Sequence, residues 1–148
     1  KGQNIRYHFA GSWIDVESEA EFFELIKEYE LEENVIYHGF VSGERKDSLY
    51  RDAHILIYPS KNDAFPLTLL ESLSYGVPVV ATDEGSIPYM LDEESGIVLH
   101  DVSTLPEVLD QAQAMLINKK TAMYCRQRYL ENFSLEQFED NLVNILNL

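Results

Sequence analysis

Asp63 and Glu71 stand eight positions apart, and Phe65-Pro66-Leu67-Thr68-Leu69 between them has the makings of a helix start. The first N–H groups of a helix have no partner inside it and carry partial positive charge, so they favour a phosphate. Thr68 adds a hydroxyl donor. Glu71 shares a helix face with Thr68 at i,i+3, and its carboxylate can accept from a vicinal diol such as a ribose. Asp63, in the preceding loop, is placed to contact a sugar hydroxyl. Each residue also has an ordinary role. Any α/β protein exposes N–H groups where a helix follows a strand, Asp63 could stabilise the helix start, and Glu71 could belong to a solvated face.

These residues are positioned by a strand, loop, helix and strand running from Ile55 to Thr82. Ile55-Leu56-Ile57-Tyr58 is a short apolar run closed by Pro59-Ser60, the pattern of a fully buried parallel strand. Leu67, Leu70 and Leu73 recur at helical spacing, with Pro66 at the first helical position and Gly76 as the stop. Val77 to Ala81 completes a βαβ unit with a right-handed crossover. Upstream, Ile5 to Ala10 reads as a strand ending at Gly11-Ser12. Ser18 opens an amphipathic helix with Phe22, Leu25, Ile26 and Tyr29 on one face, and Ser18 with Glu21 has capping-box spacing. Val35 to His38 is a strand stopped by Gly39, and a short helix surrounds Asp47 to Arg51. Gly96 to Leu99 is the last strand, followed by helices over Ser103 to Asn118, Lys119 to Asn132 and Ser134 to Leu148.

Alternating strands and helices predict an α/β fold, a three-layer α/β/α sandwich on a mostly parallel Rossmann-like sheet. Ligands of open parallel sheets gather beyond the carboxyl ends of the strands. Gly11-Ser12, Gly39 to Gly43 and Ser60 to Pro66 are therefore expected on one rim. The 148 residues suffice for one domain with a proper core, so residues 1–148 are expected to form a single ligand-binding domain.

The charge of −15 opposes nucleic-acid or anionic-membrane binding, which needs clustered Lys and Arg. One cysteine, Cys125, cannot form an internal disulfide, so a cytoplasmic setting and a packed thiol are expected. No apolar run approaches the ~18 residues of a membrane span, and Lys1 to Arg6 is no signal peptide. His8, His38, His54 and His100 lack shared ligand spacing, so structural roles and no metal site are expected. The Walker pattern, the dinucleotide-binding glycine fingerprint and the Gly-x-Ser-x-Gly elbow are all absent.

Pro59-Ser60, Asp63-Ala64-Phe65-Pro66-Leu67-Thr68-Leu69-Leu70-Glu71-Ser72-Leu73, Gly76-Val77-Pro78-Val79-Val80-Ala81-Thr82 and Gly85-Ser86-Ile87-Pro88 closely resemble one family. They are similar to the donor-binding C-terminal half of retaining glycosyltransferases of the two-domain GT-B type, family 4. Gly39-Phe40-Val41 with Leu49-Tyr50-Arg51-Asp52-Ala53, and Phe133-Ser134-Leu135-Glu136, extend the likeness over nearly the whole chain.

The resemblance implies a site for a nucleotide-diphosphate sugar (UDP-, GDP- or ADP-sugar) as donor substrate, with no tightly bound cofactor. The family has two glutamates separated by seven residues. The second matches Glu71, which would hold the ribose; the first matches Asp63, which would touch the transferred hexose. Phe65, Pro66, Leu67, Thr68 and Leu69 match the diphosphate segment, and Gly39, Phe40 and Val41 match the loop beside the base. Asp63 is one methylene shorter than the family's glutamate, which bears on the sugar contact and donor choice. Ser86 stands where a second glycine is common, and Tyr89 where an acid often follows the proline.

The family's domain opens with a strand and helix that this sequence lacks, and the basic residues that clamp the diphosphate lie there. The chain is thus expected to be a fragment of a larger enzyme, inactive alone. Its acceptor, a glycan or lipid, would be bound by an N-terminal domain, and the parent enzyme would be cytoplasmic, with attachment to the inner membrane face left open. Loss of that central strand predicts direct pairing of the Ile5 and Ile55 strands, or a partner chain between them. Asp63 and Glu71 do not suggest a glycosidase, whose carboxylates face one bond from opposite sides. The alternative is a non-catalytic flavodoxin-like interaction module with a vestigial rim. A glycogen-phosphorylase-like enzyme would need a lysine-bound cofactor, and Lys61 is the only lysine expected at the rim.

Overall fold

A computed structural model describes residues 5–116 and 118–146. Ile117 of the expected Ser103–Asn118 helix, and Asn147 and Leu148 of the expected Ser134–Leu148 helix, lie outside the described residues. The chain divides into two compact units, one through Leu49 and one from Tyr50. The division falls within a helix.

In the first unit β1 (Tyr7–Phe9) pairs in parallel with β2 (Val35–Tyr37), placing Tyr7 opposite Val35 and Phe9 opposite Tyr37. The crossover helix α1 (Val16–Glu28) sets Phe22 against Phe9, Trp13 and Tyr37, with ring centroids 4.9 to 6.3 Å apart. Edge-to-face packing of this kind adds to the burial of large rings. The helix starts two residues before the expected Ser18. Asp15 is the N-cap, its Oδ1 accepting from the Ser18 N–H at 2.7 Å, so Ser18 lies inside the first turn and Glu21 in the second. The next helix, α2 (Gly43–Asp52), spans the division.

The second unit holds β3 (Leu56–Tyr58), β4 (Val79–Thr82) and β5 (Gly96–Leu99), all parallel, in the order β3-β4-β5. Alternation along β4 sends Val79 and Ala81 to one face, against Leu69 and Leu73 of α3 (Leu67–Ser74) and Cys125 of α6 (Lys119–Asn132). Val80 points to the other face, with Leu99 and Ala112 of α5 (Leu105–Leu116). Helices therefore cover both faces, the three layers expected of a βαβ-built domain. A short helix, α4 (Ile87–Met90), and the final helix, α7 (Leu135–Leu146), complete the unit.

Two expectations are corrected. The fully buried strand is β4, all four of whose residues are buried; β3 is half-buried because it pairs on one side only in this ladder. Pro66 is the N-cap and not the first helical residue: its ψ of 107° is extended, and its carbonyl accepts from Leu69 N–H at 3.1 Å. The strands form two separate ladders, β1-β2 in the first unit and β3-β4-β5 in the second.

Gly76 ends α3 in a Schellman arrangement, with its N–H bonded to Leu73 O at 2.9 Å and Val77 N–H to Ser72 O at 3.0 Å. Its φ is +75°, and a Cβ there would lie 2.7 Å from the carbonyl oxygen of Ala122 in α6. A side chain is excluded by both the turn and the packing of α3 on α6. No described helix is long and apolar enough to cross a membrane.

Candidate functional site

The loop from β3 to α3 carries Asp63, and its shape is fixed from within the second unit. Asp63 Oδ1 accepts from Phe65 N–H at 3.1 Å, which tightens the turn, and Oδ2 accepts from the Tyr58 hydroxyl at 2.7 Å. Burial pushes the Tyr58 phenol above its usual value, and the hydrogen bond to Asp63 adds to this, so Tyr58 stays a donor at neutral pH. Thr82 Oγ1 donates to Ser60 O at 2.5 Å. Ser86 N–H bonds Ala64 O at 3.0 Å, and Gly85 lies so close that a Cβ would sit 2.4 Å from Asp63 O. The turn after β4 thus braces the loop after β3, which is why this position is glycine with φ +52°.

The start of α3 is open. Pro66 supplies no side-chain cap, and Leu67 is 66% exposed. Of the expected amides, Phe65 N–H is engaged by Asp63 and Leu69 N–H by Pro66, and Pro66 has none. Among the described residues, the hydrogen bonds leave the Leu67 and Thr68 N–H groups without a protein acceptor. Two adjacent unpaired N–H groups at a helix start suit one anionic oxygen or more. Thr68 and Glu71 follow on α3, both half-buried. Glu71 Oε2 accepts from the Tyr50 hydroxyl at 3.1 Å. A cleft of about 530 Å³ runs beside them, lined in part by Phe65, Leu67, Glu71, Phe133, Leu135 and Phe138.

Gly39, Phe40 and Val41 follow β2 in the first unit, and Phe40 is 74% exposed. Asp63, Phe65, Pro66, Leu67, Thr68, Leu69 and Glu71 all belong to the second unit, in the β3–α3 loop and the first two turns of α3.

Sequence reasoning did not assign Tyr50 or Tyr58 a role. Tyr58 was legible only as a strand end, and Tyr50 only as part of a matching stretch. His8 and His38 stack on each other, rings 5.1 Å apart, with Nδ1 of His8 2.9 Å from Nε2 of His38. Burial lowers the His38 pKa, helped by His8 and Arg45. His100 Nδ1 lies 2.8 Å from Asp83 Oδ2. No group of three or more potential metal ligands occurs among the described residues. Cys125 is buried, its thiol pushed up to about 12 by desolvation first and by Asp92 second, so it is no nucleophile at neutral pH.

Residues 1–130 match the family described as glycosyl transferases group 1. The alpha-1,3/1,6-mannosyltransferase ALG2 of Dictyostelium discoideum is 31% identical over 140 residues, which is 89% of this chain and 32% of that protein. A glycosyltransferase from Rickettsia africae superposes with a TM-score of 0.81 at 20% identity, over 98% of this chain and 40% of the other. Anabaena Alr3699/HepE, solved in complex with UDP-glucose, gives a TM-score of 0.77 at 16% identity, over 96% and 40%. The chain spans about a third of the length of the curated relatives it matches. The fold, parallel sheets with helices, is that of the C-terminal domains of GT-B glycosyltransferases. From the family match over most of its length, this chain belongs to the glycosyl transferases group 1 family.

Proposed function

We propose that the chain is the donor-binding, C-terminal part of a retaining family 4 glycosyltransferase that moves a hexose from a nucleotide-diphosphate sugar to an acceptor. The observation that carries this is the start of α3, where the Leu67 and Thr68 N–H groups have no acceptor among the described residues, one turn before a carboxylate. The diphosphate sits on those amides and on the Thr68 hydroxyl, within the segment Phe65 to Leu69. Glu71 accepts from the ribose and Asp63 faces the transferred sugar, all within the second unit. The structural neighbour solved with UDP-glucose supports this class of donor. Asp63 is held by Tyr58 and Phe65, so its shorter side chain is oriented before any sugar arrives, as preorganisation requires.

Transfer also requires an acceptor held in near-attack geometry with water excluded. An N-terminal domain supplies the acceptor site, so the 148 residues alone bind donor without transferring it. Titration of the ¹⁵N-labelled chain with UDP, GDP or ADP tests this. Amide shifts concentrated at Leu67 to Glu71 are expected with one of the three. Silence at millimolar concentrations of all three refutes the proposal and favours a non-catalytic interaction module.

A further inference from the structure

Tyr50 lies in the last turn of α2, and its hydroxyl donates to Glu71 Oε2 at 3.1 Å, within the second unit. The same hydroxyl lies 3.4 Å from Thr68 O, at the long limit of a hydrogen bond. Its ring stacks on Tyr75, centroids 5.4 Å apart and planes within 8°. Tyr75 is the C-cap of α3, and its N–H bonds Glu71 O at 3.3 Å. One phenol is therefore held by its ring at the end of α3 and by its hydroxyl at Glu71. Burial, then the Glu71 charge, raises the Tyr50 pKa well above its ordinary value, so the hydroxyl keeps its proton at neutral pH.

A glutamate has three side-chain torsions, and accepting two hydroxyls of one diol requires them fixed. We infer that Tyr50 is the positioning residue that sets the Glu71 carboxylate for the ribose of the donor; this rests on the proposed donor site. Tyr50 itself touches no substrate. It fixes Glu71 before the nucleotide arrives and so lowers the ordering cost of binding.

The test compares UDP with 2′,3′-dideoxy-UDP by calorimetry on the protein and on Tyr50→Phe, which keeps the stacked ring and loses only the hydroxyl. GDP or ADP with its dideoxy form replaces this pair if wild type prefers that base. The expected result is a loss of about five- to tenfold for the ribose nucleotide, the range of losing one ordinary hydrogen bond. The dideoxy form should change less than about twofold on the same scale. A merely structural role would weaken both alike, and that outcome, or no loss for either, overturns the inference and leaves the donor site standing. Wild type that binds none of the three nucleotides, or binds the ribose and dideoxy forms equally, overturns the donor site, and the inference with it. Tyr75→Leu removes the stacking partner and leaves the Tyr50 hydroxyl. It should give a smaller loss with the same selectivity for ribose, and equal losses would overturn the inference even if Tyr50→Phe fails to fold.

Discussion

Replacing Gly85 by alanine crowds the Asp63 loop, and replacing Gly43 by alanine separates that effect from backbone strain. The two glycines have nearly the same φ, +52° and +54°. An alanine at either costs about 1 kcal/mol for entering the left-handed region. At Gly43 nothing lies within 4 Å of the added Cβ, so the cost should end there. At Gly85 the Cβ would meet Asp63 O at 2.4 Å and Ala64 O at 2.7 Å, both backbone atoms. Restoring the 3.4 Å of ordinary contact moves the loop by about 1 Å, the difference between 3.4 and 2.4 Å. That shift breaks the Ser86 N–H bond to Ala64 O, worth about 1 kcal/mol, and carries Asp63 away from Tyr58. Urea denaturation should give a loss of about 1 kcal/mol for Gly43→Ala and about 2–3 kcal/mol for Gly85→Ala. At this chain length the thermal midpoints should drop by about 3 °C and about 6–9 °C. Equal losses for the two variants would refute the claim that the turn after β4 braces the loop.

Asp92 accepts from Tyr124, from Ser95 and, at 2.5 Å, from Arg128. Burial alone would raise its pKa, but these donors outweigh burial and hold it below the usual 3.8. A carboxylate depressed by folding contributes stability that is present above the unfolded value and is lost as pH falls through the folded one. Asp92→Asn should therefore lose about 1 kcal/mol at pH 7 after screening of the partly exposed pair, and its thermal midpoint should fall less than wild type's below pH 4. Parallel acid profiles would contradict this. Cys125 should react with a thiol reagent at neutral pH only when the chain is unfolded; titration of the native protein at the rate of a free thiol would show that its burial is misplaced. Glu71→Gln should weaken UDP binding by about tenfold, since a charged acceptor is exchanged for a neutral one, and unchanged affinity would remove Glu71 from the site.

The parts of this fold written in local periodicity were legible in the sequence. Gly96–Leu99 and Lys119–Asn132 have the predicted bounds, because one is a β-branched run after a turn and the other lies between Asn118 and Phe133. Gly76 reads as a helix stop because few residues other than glycine reach φ +75°. Caps were less legible, since Asp15 and Ser18 are both good N-caps and only the chain's path decides between them. Burial of β3 against β4 depends on pairing partners far along the chain, which a four-residue apolar pattern does not encode. In the candidate site, spacing brought Asp63, Thr68 and Glu71 forward. The tyrosines that hold the two carboxylates were not legible: the Tyr50 contact spans 21 positions, and the five from Tyr58 to Asp63 match no regular period.

The most direct measurement is a crystal structure of the chain grown with UDP-glucose or, if titration favours another base, with that nucleotide sugar. The account predicts diphosphate oxygens about 3 Å from the Leu67 and Thr68 nitrogens and ribose hydroxyls on Glu71. A nucleotide bound elsewhere, with no oxygen on those two N–H groups, would contradict it.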